Sequence, residues 1–369
     1  MKRKGLALLG LLGILAALLP VASAAGGTVR ITEITPSAHS ITICWDGAEA
    51  PLYEVCRAVR RSGVYVKVAE TKEPTYTDTG LTQNSIYFYK VRPCAESGES
   101  TGAFSAVAGR CCVALVSAMA TQNPCYQQGK TIQVSGLMLH SVGCAQEKGA
   151  VFASLWNQPT ADVLVHAVVE PGGNVYQLAD WNTRCWHCGG SGNNFLIGVE
   201  MTEPNELQYS GTGAEFTWSG DAPRKVVDNY NTAVALFANL CFQYNLNPLS
   251  DIYSHQEGET LGIASDHVDP EHLWSGLGLP LTMDTFRQDV YSKMQGTYRD
   301  RTASSSVSRT VTVKAELLNV RGGPGTGYEI QDVLTEGSRV TVTATSQSGD
   351  SLWGKLSTGG WISMEYVTS

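Results

Sequence analysis

The sequence predicts a multidomain chain in three folded parts. These are an all-β sandwich, an α/β (α+β) domain with a central mixed sheet and flanking helices, and a small β-barrel. Short alternating apolar and polar segments, broken by turn residues, run from residue 28 to about 110. Strand-like and helix-like patterns then mix from about 114 to 297, and six of the seven histidines fall there. A compact β pattern fills 311–369, after a polar stretch over 298–310 that includes Ser304, Ser305 and Ser306 and reads as a linker.

Composition narrows the class. With 43 % hydrophobic and 16 % charged residues the chain is globular and not disordered. A formal net charge of -8 argues against nucleic acid, which needs a basic footprint, and against anionic membranes. Residues 1–24 read as a secretory signal peptide: Lys2, Arg3 and Lys4, an apolar run over 6–19, then Ala22-Ser23-Ala24. No later stretch approaches the ~20 apolar residues of a membrane helix, so an exported protein with no integral membrane segment after cleavage is expected. Ten cysteines permit up to five disulfides in an oxidising exterior.

In the first part, 40–45 (SITICW), 53–56, 64–68, 75–81 and 85–92 read as strands of a sandwich. Trp45, the Thr-Asp-Thr-Gly-Leu turn and the Tyr-Phe-Tyr-Lys-Val-Arg strand together resemble a fibronectin type III module over 28–110. With no cluster of acid, base or nucleophile here, a spacer or binding module is expected.

In the middle part, 133–140, 162–169, 174–178 and 197–201 read as strands of one sheet. A helix is predicted over 226–244, where Val226, Val227, Tyr230, Ala233, Val234, Phe237, Leu240, Cys241 and Tyr244 track one face and Asn247-Pro248 ends it. A second is predicted over 283–294. In the last part, 318–328 (LNVRGGPGTGY), Trp353-Gly354-Lys355-Leu356 and Gly360-Trp361-Ile362 resemble a bacterial SH3-like domain. That resemblance implies a role in holding the chain on the cell wall.

Residues 250–274 hold three of the seven histidines without a local metal-binding spacing. The pieces that could complete a site lie upstream. Leu137-Met138-Leu139-His140-Ser141 ends an apolar strand on a histidine, and Arg184-Cys185-Trp186-His187-Cys188-Gly189-Gly190 follows. Residues 193–200 (NNFLIGVE) end a strand on Glu200, and Ser254-His255 and His267-Val268-Asp269-Pro270 close the series. In this order they resemble the type 2 zinc-dependent N-acetylmuramoyl-L-alanine amidases, the family that includes peptidoglycan-recognition proteins.

The resemblance implies a secreted, wall-associated hydrolase that cuts the amide between N-acetylmuramic acid and L-alanine with zinc-activated water. It implies one Zn²⁺, with ligands at His140, His255 and Asp269. A catalytic zinc takes three protein ligands and leaves a position for water, and two imidazoles with a carboxylate suit it. Glu200 matches the proton-shuttling carboxylate, and His267 stands where many members carry a lysine that steadies the oxyanion. Trp186 and His187 are expected against substrate. His166 either lines the same cleft or is a satisfied core histidine.

Alternatives remain at this level. His267 could be the third ligand, with Asp269 behind it. Asp269-Pro270 also reads as a helix start, with the aspartate as cap. Glu203 should point away from Glu200 if the strand continues. Cys185-x-x-Cys188 reads as a local disulfide or two packed thiols. A non-catalytic peptidoglycan-binding protein and a stem-peptide endopeptidase are the rival functions.

Overall fold

The computed structural model describes residues 27–210, 214–302, 309–348 and 351–368. The predicted signal peptide lies outside the described residues. The three-part architecture is as expected.

The sandwich consists of β1 (Val29–Pro36), β2 (Ser40–Gly47), β3 (Leu52–Ala58), β4 (Val66–Thr71), β5 (Thr75–Thr79), β6 (Ile86–Cys94) and β7 (Ala108–Cys111). One sheet has the order β1-β2-β5 and the other β4-β3-β6-β7. Alternation sends Ile41, Ile43 and Trp45 of β2 inward against Val55, Tyr89 and Val91 of the opposite sheet. The strand expected over 64–68 starts later. Val64 is exposed, and Tyr65 turns its hydroxyl onto the Arg61 carbonyl (3.0 Å) in the preceding turn.

The middle part runs through β8 (Ala114–Ser117), α1 (Pro124–Gln127), β9 (Gly136–Ser141), α2 (Gly149–Trp156), β10 (Ala167–Val169), β11 (Asn174–Gln177) and β12 (Leu196–Met201). Then come β13 (Leu207–Tyr209), β14 (Phe216–Trp218), α3 (Ala222–Tyr244), β15 (Ile252–Ser254), α4 (His255–Thr260), α5 (Glu271–Gly276) and α6 (Met283–Gln295). Its six-stranded sheet has the order β15-β9-β12-β10-β11-β8. β15, β9, β12 and β10 pair in parallel, while β11 is antiparallel to β10. Parallel central strands are covered on both faces, which is why β9 reads as an unbroken buried run. The strand expected over 162–169 shrinks to three residues, because Leu164 bridges to Trp186 instead.

Helix α3 departs most from its pattern. The sequence marks one apolar face, yet 17 of its 23 residues are buried, including every position from Asn229 to Cys241. The reason is a second cover. The sheet and α6 bury one side, and Ile86, Phe88, Cys111 and Val113, on and beside the sandwich strands, join the same core on another. Asn239 seals the contact: its Oδ1 accepts from the Cys111 backbone N–H (2.7 Å) and its Nδ2 donates to the Cys111 carbonyl (3.0 Å).

The segment expected as linker from 298 begins on this body. Tyr298 donates to Asn231 of α3, and Arg301 bonds Asp289 of α6. The last part comprises β16 (Arg309–Val313), β17 (Leu317–Arg321), β18 (Ile330–Thr335), β19 (Arg339–Ser348), β20 (Ser351–Leu356), β21 (Trp361–Ser363) and β22 (Val367–Thr368). These form one antiparallel sheet, in the order β18-β17-β21-β20-β19-β16-β22, around Val311, Val313, Leu318, Val320, Val342, Leu356 and Ile362. No described helix is long and apolar enough to cross a membrane.

All ten cysteines are free thiols, and none of the up to five disulfides that their number permits is formed. Six of the ten lie among buried apolar side chains that pack without a staple. Of the two readings of Cys185-x-x-Cys188, packed thiols holds. Cys188 Sγ sits against Asn193 Oδ1 (3.3 Å), and Cys185 packs in a separate cluster with Cys125.

Candidate metal centre

The parallel sheet creates the site by register. β15 runs beside β9 with Ser254 opposite Leu139, so the next residue, His255, emerges beside His140. His255 opens α4, whose start is fixed by a capping box. Ser254 Oγ accepts from the Glu257 N–H (3.0 Å), and the Glu257 carboxylate accepts from the Ser254 N–H (3.1 Å). Asp269 reaches in from the turn before α5. His140 Nδ1 lies 3.1 Å from His255 Nδ1 and 3.2 Å from Asp269 Oδ2, and His255 Nδ1 lies 3.4 Å from Asp269 Oδ1. All three residues are buried.

Asp269 does not cap α5. The residue before that helix is Pro270, no side chain caps it, and the Asp269 carboxylate instead accepts from the Ser141 N–H (3.2 Å). His267 stays outside the trio. Its exposed ring stacks on His255, with centroids 4.3 Å apart, and its Nδ1 lies 3.1 Å from Ser265 Oγ. Of the two candidates for a third ligand, the fold brings Asp269 to the histidines.

Three lone-pair donors converging on one buried point repel one another, and a cation between them relieves that repulsion. Two imidazole nitrogens and a carboxylate are a donor set for a transition metal. Burial, with His140 beside it, pushes the His255 pKa down to about 4, which keeps the ring neutral as ligation requires. The residues fit a metal.

Glu200 stands beside the trio because β12 pairs with β9 in parallel, Glu200 directly opposite His140. Its Oε2 is enclosed and has no hydrogen-bond partner. Burial raises its pKa well above the usual carboxylate range, and the nearby Asp269 and Glu203 charges add to the rise. Glu203 is not simply on the opposite face. β12 ends at Met201, and the chain turns so that Glu203, fully buried, accepts from the Gly143 N–H (3.0 Å) and the Tyr209 hydroxyl. Burial pushes its pKa up to about 6.

A cleft of about 510 Å³ opens beside the trio, lined by Arg184, Trp186, His187, His255, Ser265 and His267 among others. His187 points back into the protein: its Nδ1 lies 3.0 Å from His140 Nε2. His166 corrects one expectation. It is fully buried, Nε2 facing the Thr183 carbonyl (2.9 Å) and Nδ1 accepting from the Gly198 N–H (3.0 Å), so it does not reach substrate. Ser265 and Arg184 were not singled out from the sequence. Arg184 opened a motif read for its histidine, and Ser265 carried no signal beyond lying two residues before His267.

Comparison with known proteins follows this geometry. The pattern of the family described as N-acetylmuramoyl-L-alanine amidase matches residues 130–272, and that of the bacterial SH3 domain matches 316–368. Over 71 residues the chain is 44 % identical to the putative N-acetylmuramoyl-L-alanine amidase YrvJ of Bacillus subtilis (strain 168), which covers 18 % of this chain and 13 % of that protein. The chain thus spans a small fraction of that relative's length. Among solved structures it is similar to Staphylococcus aureus hydrolase AmiA in complex with its ligand, at 18 % identity and a TM-score of 0.39, over 51 % of this chain and 87 % of that one. It is also similar to the catalytic domain of XlyA, at 19 % identity and a TM-score of 0.35, over 48 % and 98 %. A Fn3-like protein from Clostridium thermocellum is 25 % identical with a TM-score of 0.21, over 24 % and 92 %. By the two matched patterns, residues 130–272 carry an N-acetylmuramoyl-L-alanine amidase domain and residues 316–368 a bacterial SH3 domain.

Proposed function

We propose that this chain is a secreted, cell-wall-associated zinc amidase that cuts the bond between N-acetylmuramic acid and the L-alanine of the stem peptide. The observation that carries the reading is the buried convergence of His140, His255 and Asp269 beside an unpartnered Glu200 oxygen, inside a segment matching the amidase family. His140, His255 and Asp269 would hold one zinc ion. When bound, zinc supplies Lewis-acid polarisation and a water whose pKa lies near neutrality.

The remaining roles belong to the protein. Glu200, whose carboxyl has no other partner, takes a proton from water and returns it to the leaving amine of L-alanine. Its raised pKa suits a group that must both accept and release a proton near neutral pH. His267, exposed at the cleft beside His255, in its imidazolium form donates a hydrogen bond from Nε2 to the carbonyl oxygen as negative charge builds there. Trp186 offers an apolar wall for the substrate. The leader over 1–24 directs export, and the barrel over 311–369 keeps the enzyme on peptidoglycan.

Digestion of purified wall tests this. New L-alanine amino groups should appear without new reducing sugar ends, and chelation should stop their release until zinc is restored. Release of other amino-terminal residues would make the enzyme a stem-peptide endopeptidase. Wall binding without release would make it a recognition protein.

A further inference from the structure

Each imidazole of the trio is held from behind, and both supports end on a backbone carbonyl. His140 Nε2 lies 3.0 Å from His187 Nδ1, and His187 Nε2 lies 3.2 Å from the Leu196 carbonyl oxygen. His255 Nε2 lies 3.3 Å from Ser265 Oγ, and that hydroxyl donates to the Cys188 carbonyl oxygen at 3.3 Å.

A carbonyl oxygen only accepts, so the atom facing it must carry hydrogen. Leu196 therefore selects the His187 tautomer with hydrogen on Nε2. With its one hydrogen on Nε2, the neutral His187 ring presents a bare Nδ1 that accepts. His140 then donates from Nε2, which leaves its Nδ1 as a lone pair turned to the trio. The reverse arrangement would set two lone pairs against each other at Leu196. The second relay follows the same logic. Ser265 uses its one hydrogen on Cys188, so it accepts from His255 Nε2–H and leaves His255 Nδ1 bare. Ser265 has a second acceptor site for the His267 Nδ1 at 3.1 Å.

Two glycines make the relays possible. A Cβ on Gly198 would lie 2.4 Å from His187 Cγ, and one on Gly189 would lie 2.6 Å from Ser265 Oγ. Gly189 also has a φ of +65°, a conformation that favours glycine.

We propose that His187 and Ser265 are positioning residues that hold His140 and His255 in the Nε2–H tautomer, so that both Nδ1 lone pairs are aimed at the metal site before any metal arrives. This moves His187 from substrate contact to support of a ligand, and it rests on the metal reading given above. Partners of this kind orient metal-binding imidazoles, and their loss weakens metal affinity about 10–100-fold.

The test has two arms on the full chain. In metal-free protein labelled with ¹⁵N-histidine, long-range ¹H–¹⁵N correlations should show hydrogen on Nε2 of His140, His187 and His255. Hydrogen on Nδ1 of His140 or His255 overturns the proposal, and no variant has to fold for this result. In the second arm a chromophoric chelator competes for zinc. His187→Phe should weaken zinc binding about 10–100-fold and Ser265→Ala about tenfold, while His187→Asn, which restores an acceptor near Nδ1, should recover much of the loss. Equal zinc affinity in wild type and His187→Phe overturns the relay. A wild-type chain that binds no zinc overturns the metal reading instead, and the tautomer measurement still decides the relay.

Discussion

The two β domains that flank the amidase segment are joined to it in different ways. The sandwich shares a core with it: Phe88 and Cys111 pack into the cluster that holds α3, and Asn239 bonds both backbone groups of Cys111. Lys293 of α6 donates to the Asn84 carbonyl (3.0 Å), and Gln83 donates to the Gly173 carbonyl (2.8 Å). Among the described residues, no hydrogen bond or ion pair joins 309–368 to the rest of the chain. The sandwich is thus part of the same folded body as the amidase segment, whereas the barrel has its own core and is attached through the chain. A module boundary drawn from sequence says nothing about which of these two holds.

The largest effect should come from removing the sandwich. Without residues 27–111 a face of α3 meets water, and the shortened protein should be insoluble or bind a hydrophobic dye strongly. Without 309–368 the remaining protein should melt as before and hydrolyse soluble wall fragments normally, while its binding to intact wall drops. A soluble, active chain lacking the sandwich would end the comparison.

Next in size is the effect of pH on the joined body. Burial pushes the His166 pKa down to about 4, against about 6.5 for an unfolded histidine. Between these values the unfolded chain binds more protons, so stability falls as pH drops from 6.5 toward 4, by up to roughly 3 kcal/mol. His255, also lowered to about 4, and His187, lowered well below normal by burial, add the same sign in metal-free protein, while Glu203, raised to about 6, and Glu271, raised to about 7, oppose it. The barrel contains no histidine, so its own transition should lack this dependence. Thermal melts from pH 7 to 4.5 would show one acid-sensitive transition and one flatter one, and His166→Gln should flatten the first.

A single interface residue should have a comparable or smaller effect. Asn239→Ala leaves the Cys111 N–H and carbonyl unpaired in a buried contact, which should cost about 2–3 kcal/mol in chemical denaturation. If sandwich and amidase unfold as one unit, both lose that stability together. If tryptophan fluorescence from the sandwich is unmoved, the two are less coupled than the contact implies. Glu200→Gln should have the smallest effect on folding, because Oε2 makes no hydrogen bond. It should nevertheless abolish about 10²–10⁴-fold of wall hydrolysis, which separates catalysis from the stability effects above.

Much of this protein was legible in its residues. Alternation marked the sandwich strands, an unbroken apolar run marked β9, and a 3.6-residue period marked α3. These are local signals, because each element must present an apolar surface at the spacing its own backbone sets. The order of His140, Glu200, His255 and Asp269 was likewise visible, through resemblance to a family and not through spacing, since His140 and His255 are 115 residues apart.

What local patterns could not carry were decisions made by partners distant in sequence. His267 and Asp269 are two residues apart in a turn, and only the path of that turn past Ser141 selects the aspartate. His187 read as a cleft histidine and His166 as either a cleft or a core one, but His166 bonds Thr183 and Gly198 while His187 backs His140. The second buried face of α3 depended on a sandwich whose pattern gave no sign of docking. The residues of this chain determined which elements form and which chemical groups are available. The packing of those elements decided which nitrogen, oxygen or helix face meets which partner, because hydrogen bonds and burial act over a few ångströms whatever the separation along the chain.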